Sequence, residues 1–253
     1  MARVLAMAAM VPMAGASFLR QAPADACACV NWQQAYASGG AKCGDGHELY
    51  VGTSSGMPRL MARLLLGMEF CDGFYKRIKD NFCVNLDHAN APDAWYGGQW
   101  CYVSSQCMSS SPANGTGSLR VKLCTPGQDK MLRDKTVEEL TSWAKAEDFE
   151  TGLLLKMAYP TEKEAKWPLV QDAYLNPAAV NLESNATKQA LYHRVSTLTA
   201  ASKPLILDSK DGHPPFAVVR GGSRADLLEL TGQKDMAHPN SITSLKCTAG
   251  CSQ

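Results

Sequence analysis

The sequence lacks several features that commonly reveal a function. Charged residues make up only 19% of the 253 residues and balance to a net charge of +1, without a long run of either sign. This composition excludes a strongly basic nucleic-acid-binding surface. We predict no cofactor, and beyond the leader no apolar stretch is long enough to cross a bilayer. What remains is a hydrophobic content of 45%, which is enough for a packed core.

The first 16 residues predict a cleaved secretory leader. Arg3 precedes an apolar run from Val4 to Met13, and Ala14-Gly15-Ala16 supplies the small residues that a signal peptidase accepts. A mitochondrial presequence is the alternative, because the segment contains no acid. The following Ser17-Phe18 resembles the start of bipartite plastid leaders in algae with secondary, red-lineage plastids. We therefore expect the secretory pathway, with the plastid lumen as the alternative compartment.

Cysteine is absent from 125–246 and dense before it. The ten cysteines are Cys27, Cys29, Cys43, Cys71, Cys83, Cys101, Cys107, Cys124, Cys247 and Cys251. An even number behind a secretory leader predicts four disulfides in the first half and one small loop in the tail, with the connectivity left open. Zinc is the alternative. The close pairs are Cys27-x-Cys29 and Cys247-x3-Cys251, and neither is joined by a second ligand pair at suitable spacing, even with His47 near Cys43. We predict no metal site.

The residues between Met57 and Phe82 predict one long amphipathic helix. Apolar side chains recur at steps of three and four and define a buried face: Met57, Leu60, Met61, Leu64, Leu65, Met68, Cys71, Phe74, Tyr75, Ile78 and Phe82. Pro58 suits the first turn, and Gly67 and Gly73 are positions where a kink can divide the segment into two helices. Docking of a protein partner on the Met-rich face is the alternative to core packing.

An aromatic cluster follows at Trp95, Trp100 and Tyr102. The string Trp100-Cys101-Tyr102 resembles part of kringle and fibronectin type II modules over fewer than ten residues. We interpret the three side chains as packing over disulfides. The alternative is a binding face for a sugar ring or a pigment.

Two short patterns raise the possibility of catalysis. Gly52-Thr-Ser-Ser-Gly56 matches the Gly-x-Ser-x-Gly pattern of a nucleophile elbow around Ser54, with the strand-like Leu49–Val51 before it. Only about 30 mature residues precede it, so the several strands of an α/β-hydrolase are missing. Ser and Gly before a helix more commonly make a cap, which is the interpretation we prefer.

The second catalytic pattern lies near the C-terminus. The segment from Lys203 to Val219, with Gly212-His213 between two strand-like runs, resembles the histidine end of papain-like peptidases and their inactive relatives. The resemblance implies that His213 is the base of a thiol hydrolase. Pro214 and Pro215 depart from that pattern, and no cysteine is left over as a nucleophile. We interpret His213 as part of a polar turn.

The cysteine-free half predicts helices followed by a hairpin. Capping-box spacing begins at Thr136 and again at Thr161, and further helices are expected over 152–159 and 187–202. Strand-like runs at 204–208 and 216–220 predict a β-hairpin, and 227–230 predicts a third strand or a short helix. Two glycosylation sequons begin at Asn114 and Asn185.

The chain is therefore expected to be an α+β protein. The predicted divisions are a leader (1–16), a disulfide-rich domain (17–126), a helical domain with a hairpin (127–246) and a cysteine-containing tail (247–253). The leader and the cysteine-rich module with Trp-Cys-Tyr resemble secreted and lumenal proteins of dinoflagellate-like protists. We expect a non-enzymatic extracytoplasmic binding or assembly subunit with a protein partner. The alternatives are a papain-like or serine hydrolase, and a lumenal accessory subunit of a plastid photosynthetic complex.

Overall fold

A computed structural model describes residues 25–87, 98–115, 117–162, 164–175, 185–199, 204–210, 216–220, 226–231 and 244–249. The leader, Trp95, His213 and Cys251 lie outside these residues. The described α-helices are α1 (Trp32–Ala37), α2 (Tyr50–Ser54), α3 (Arg59–Gly67), α4 (Val137–Glu147), α5 (Thr151–Ala158), α6 (Trp167–Leu175) and α7 (Ala186–Thr199). The described strands are β1 (Val84–Asn85), β2 (Gln99–Val103), β3 (Ser111–Pro112), β4 (Arg120–Leu123), β5 (Thr161–Glu162), β6 (Pro204–Leu207), β7 (Phe216–Arg220), β8 (Asp226–Thr231) and β9 (Ser244–Ala249).

The mixture of helices and sheets with a disulfide-rich region is confirmed. An antiparallel sheet of order β1-β2-β4-β3 lies at the centre of the first half. Its middle strand β2 is the segment that contains Trp100 and Tyr102, and all five of its residues are buried. Aromatic and β-branched side chains suit such a strand, because both faces of the pleat pack against other elements.

Four disulfides staple this half: Cys27–Cys107, Cys29–Cys101, Cys43–Cys71 and Cys83–Cys124. The predicted number of bridges in the first half is confirmed, and the structure supplies the pairing that spacing left open. The bridges span 28 to 80 residues of sequence. Closing loops of this length removes much of the unfolded chain's freedom, and each bridge contributes about 2–5 kcal/mol in a small domain.

The single helix expected from Met57 to Phe82 is not confirmed. Regular α-helix ends at Gly67, one π-helical turn covers Met68–Asp72, and a short 3-10 turn covers Tyr75–Arg77. In the π turn Gly73 N–H donates to the carbonyl of Met68, five residues back, at 2.9 Å. The wider turn inserts one residue into the helical repeat, so apolar residues before and after it fall on different faces.

One of the two predicted capping boxes in the second half is confirmed. Thr136 and Glu139 form the expected capping box at α4, with each side chain accepting the other's backbone N–H. Helix α5 ends before Pro160, as expected. The helix expected after Thr161 is wrong, because Thr161–Glu162 form β5, paired in parallel with β6, and the next helix begins at Trp167.

A second sheet has the order β5-β6-β7-β8-β9. The predicted hairpin is present as β6 and β7, which pair antiparallel with Leu205 opposite Val219. The segment at 227–230 is strand β8, and β9 adds an edge strand that contains Cys247. Helices α6 and α7 pack on this sheet around Trp167, Tyr192 and Val195.

Residues on both sides of the predicted division at 126 and 127 belong to one hydrophobic core, which includes Trp32, Trp100 and Leu154. A buried polar network also crosses it. Asn85 donates to the carbonyls of Lys156 and Tyr159 at the end of α5, at 2.8 and 3.1 Å. The domain boundary stays a prediction, and the shared core indicates that α4 and α5 complete the fold of the disulfide-rich half.

Among the described helices, none combines the length and the apolar character needed to cross a membrane.

Candidate binding surface

Helix α3 presents an apolar face to solvent. Four long side chains of α3 and that of the next residue, Met68, which begins the π turn, are strongly exposed: Leu60 (70%), Met61 (44%), Leu64 (69%), Leu65 (61%) and Met68 (69%). They are spaced at i, i+1, i+4, i+5 and i+8, so they form one stripe along the helix. We call these five residues the α3 stripe. The prediction that they face the core is wrong.

The opposite face of α3 packs on the protein through small residues. Ala62 and Gly67 are buried and Leu66 is half-buried. A Cβ atom on Gly52 would lie 2.9 Å from Leu66 and 3.3 Å from Ala62, so glycine lets α2 approach α3 closely. Helix α3 therefore contacts the rest of the protein along a narrow line of small residues, and its larger Leu and Met side chains lie on the solvent side.

A disulfide and the π turn fix the orientation of the α3 stripe. Beyond the helix, Phe70 and Cys71 are buried, and Cys71 is bonded to Cys43 in the loop before α2. The one-residue insertion in the turn allows this anchoring at the C-terminal end while the α3 stripe stays outward. The stripe is therefore held on a stapled frame, with little freedom to fold back on the core.

A cleft of about 680 Å³ adjoins the α3 stripe at Leu60. Its walls are the loop 44–50, α2 and the first turns of α3, and its polar lining includes Asp45, His47, Tyr50, Arg59, Arg63 and Asn114. Arg59 donates a hydrogen bond to the carbonyl of Gly44 and so ties the helix to the loop. Arg59 and Arg63 are exposed and α3 contains no acid, so the helix itself contributes only positive charge to this flank of the stripe, opposite Asp45 of the loop.

The loop 44–50 rests on a buried carboxylate. Glu48 is 1% exposed, and its Oε1 accepts hydrogen bonds from the hydroxyls of Tyr36 at 2.8 Å and Tyr102 at 2.6 Å. Its Oε2 accepts the Gly46 N–H at 3.0 Å. Burial raises the pKa of Glu48 above its usual value, although hydrogen bonds from the hydroxyls of Tyr102 and Tyr36 and from the backbone act in the other direction.

Gly46 is required by close approach to the aromatic core. A Cβ atom there would lie 2.6 Å from the Tyr102 hydroxyl and 2.8 Å from the Trp100 ring. Beside it, His47 packs edge-on against Trp100 with ring centroids 5.3 Å apart. Burial lowers the pKa of His47 below its usual value, so the ring is neutral at pH 7 and can donate or accept one hydrogen bond in the cleft.

Two of the three aromatic residues predicted for binding lie in the core. Trp100 and Tyr102 are 0% exposed and pack with Trp32 at centroid distances of 4.8 and 5.6 Å. Trp32 in turn donates to the carbonyl of Phe82 at 2.7 Å. Trp100 and Tyr102 therefore pack beneath the loop that lines the cleft and do not face solvent. Trp95 lies outside the described residues. A binding role for them stays a prediction.

Only Ser54 of the two catalytic candidates lies in the described residues. Ser54 is the last residue of α2 and is exposed, and its hydroxyl donates to the carbonyl of Val51 at 3.4 Å. The strand expected before it is wrong, because 50–51 already belong to the helix. His213 lies outside the described residues, so the hydrolase alternative stays untested.

Both sequon asparagines are exposed. Asn114 lies at the edge of the cleft, and its backbone N–H donates to the carbonyl of Asp45 at 2.7 Å. The Asn185 side-chain oxygen accepts the N–H groups of Thr187 and Lys188 and caps α7. Glycosylation of either stays a prediction.

Comparison of the chain with protein-family models, with curated proteins and with solved structures gave no match. The functional inference therefore depends on the chain's own residues. Sequence reasoning missed the outward direction of the α3 stripe and the buried Glu48. No pattern in the sequence marks the π turn that changes the direction of the stripe, and Arg59 and Arg63 alone do not show which face of the helix meets solvent.

Proposed function

We propose that this protein is a non-enzymatic, extracytoplasmic binding or assembly subunit that docks a protein partner on the α3 stripe. The observation that supports this most strongly is the set of five exposed Leu and Met side chains on α3 and at the start of the π turn, next to the Cys43–Cys71 disulfide. Together they offer on the order of 500 Å² of apolar surface, near the upper range for the largest patch on a monomeric protein. Patches of that size commonly mark interaction sites.

The shape and charge of the surface define the partner. A protruding helix face with anchors at i, i+4 and i+8 fits an apolar groove of another protein. Methionine side chains adapt to such grooves, since they are unbranched and polarizable. Arg59 and Arg63 flank the stripe on one side without an acid on the helix. The fitting partner is a protein with an apolar groove and acidic side chains along the edge that meets this flank.

Four disulfides support an oxidising compartment for this activity. The predicted secretory leader adds to this, and a plastid lumen is the alternative. A preformed, cross-linked frame also lowers the cost of binding, because the helix that docks is already ordered before the partner arrives.

Site-specific photo-crosslinking tests the proposal. A benzophenone side chain replaces Leu64, which is 69% exposed, in one variant and Leu123, which is 61% exposed but lies on β4, in the other. The protein that crosslinks from position 64 and not from position 123 is purified, and its affinity is measured for wild type and for Leu64→Glu/Leu65→Glu. Burying a carboxylate in place of each leucine costs more than about 1.5 kcal/mol, so we expect binding to weaken at least about 100-fold.

Three outcomes contradict the proposal. The first is that the purified partner binds the double variant as tightly as it binds wild type. The second is that the only crosslinked species is a second copy of the chain. The third is that the chain sediments with anionic phosphatidylserine vesicles through Leu64 and Leu65, which would make a lipid surface the occupant. Leu123→Glu serves as the control and leaves affinity unchanged.

A further inference from the structure

Two of the disulfides lie side by side in the centre of the first sheet. The sulfur atoms of Cys29, Cys83, Cys101 and Cys124 all lie within 4.8 Å of one another. Between the two bridges, the sulfur of Cys29 is 3.5 Å from that of Cys83 and 4.0 Å from that of Cys124. Four cysteines that are far apart in sequence therefore form one compact sulfur cluster. We call these four residues the sulfur cluster.

Main-chain hydrogen bonds hold the cluster independently of the sulfur–sulfur bonds. The register that pairs Val84 with Trp100 sets Cys83 beside Cys101 on neighbouring strands. Cys83 N–H donates to the carbonyl of Lys130 at 2.8 Å, and Cys124 N–H donates to that of Gln99 at 2.8 Å. The residue after Cys29, Val30, donates to the carbonyl of Tyr102 at 2.9 Å. These hydrogen bonds do not involve the sulfur atoms, so we expect them to keep the four cysteines close when the bridges are open.

The spacing of the sulfurs suits a tetrahedral thiolate site. Four sulfurs at about 2.3 Å from a central Zn²⁺ lie about 3.8 Å apart. The distances from Cys29 to Cys83 and to Cys124, 3.5 and 4.0 Å, bracket this value, and no pair of sulfurs in the cluster is more than 4.8 Å apart. The main movement that the site requires is therefore the parting of the two bonded pairs. Cys83 and Cys101 are fully buried, whereas Cys29 and Cys124 are half-buried, which leaves one open side for entry of an ion.

We infer that the sulfur cluster is a latent metal site, which binds one soft divalent cation of the zinc class when both bridges are reduced. Reduction by a dithiol or phosphine adds two electrons and two protons to each disulfide and yields four thiols. Binding of the cation releases four protons and forms four metal–thiolate bonds. Oxidation by a disulfide reverses this sequence and expels the ion. The chain then exchanges a cross-linked core for a metal-centred one without changing its sheet.

Cobalt titration of the reduced chain tests the inference. The full chain with Cys247→Ser/Cys251→Ser is reduced by a phosphine, freed of it without oxygen, and titrated with Co²⁺. We expect one equivalent to bind with the absorption of tetrahedral cobalt–thiolate coordination and to be displaced by Zn²⁺. X-ray absorption of the zinc form should give four sulfur neighbours at about 2.3 Å.

Matched serine variants locate the site. Cys29→Ser and Cys83→Ser should each weaken binding on the order of 100-fold or more, because each removes one thiolate ligand. Cys43→Ser removes a cysteine of another bridge and should leave the affinity within about threefold. The inference is overturned if the reduced chain gives octahedral or no cobalt absorption, or if Cys43→Ser weakens binding as much as Cys29→Ser. Circular dichroism of the same reduced samples without metal shows whether the sheet persists, and its loss would also contradict the preformed site.

Discussion

The buried carboxylate of Glu48 gives the sharpest test of how the cleft is built. Glu48→Gln keeps the shape of the side chain and its Oε1 acceptor for the hydroxyls of Tyr36 and Tyr102. The new amide NH₂ then faces the Gly46 N–H, which loses its acceptor. A buried donor without a partner costs about 1–3 kcal/mol, so we expect the free energy of unfolding to fall by that amount at low pH.

The pH dependence follows from the direction of the pKa shift. Burial raises the folded-state pKa of Glu48 above the unfolded value of 4.5. Between these two values the folded protein holds a proton that the unfolded chain has lost. The contribution of Glu48 is therefore fully present below pH 4.5 and is lost as pH rises through the folded pKa, by at most about 1.4 kcal/mol per pH unit. The glutamine variant has no such titration, so the difference in the free energy of unfolding between wild type and Glu48→Gln narrows as pH rises.

Urea unfolding of both proteins from pH 4.5 to 8 at constant ionic strength measures this gap. Burial also raises the pKa of Glu150 and lowers that of His47, but both groups are present in both proteins and cancel in the difference. A gap that widens with rising pH would refute the reasoning, since it would mean that the three donors favour the carboxylate more than burial disfavours it.

Four further substitutions test the packing of the fold and of the binding surface, each by urea unfolding at pH 7. Gly46→Ala should destabilise the protein by about 1–3 kcal/mol or more, because its Cβ atom would lie 2.6 Å from the Tyr102 hydroxyl; a neutral effect would contradict the close approach. Trp100→Ala should cost about 3–5 kcal/mol, whereas Leu64→Ala should change stability by less than about 0.5 kcal/mol; equal losses would contradict the outward direction of the α3 stripe. Thr136→Ala should cost about 1 kcal/mol through loss of the capping box, and no loss would mean that α4 is held by packing alone.

Local signals predicted much of the fold. Nearby residues specify these elements: the Thr136 cap for α4, Pro160 for the end of α5, and the strand-like runs at 204–208 and 216–220 for the hairpin. Each element is found where it was expected. The capping pattern at Thr161 failed because pairing with β6 outweighed it. Strand formation depends on a partner more than 40 residues away, which no local pattern reports.

The candidate binding surface was harder to predict for a physical reason. Periodicity shows that α3 has an apolar stripe, but it does not show which face meets the core. Ala62 and Gly67 are small, so they contribute little to a hydrophobic pattern even though they make the contact. The π turn at Met68–Asp72 shifts the phase by one residue, and no composition signal marks it. Disulfide pairing likewise depends on the folded sheet.

Methionine oxidation in the protein's native assembly tests the central claim most directly. Met61 and Met68 lie on the α3 stripe at 44% and 69% exposure, and Met108 is 85% exposed outside it. The protein is isolated from its source under non-denaturing conditions and treated with dilute peroxide beside the purified chain, and sulfoxide is quantified at each residue. If the α3 stripe docks a protein partner, Met61 and Met68 are protected in the assembly, whereas Met108 oxidises equally in both samples. Equal oxidation of Met61 and Met68 in the two samples, with the assembly intact, would contradict the account.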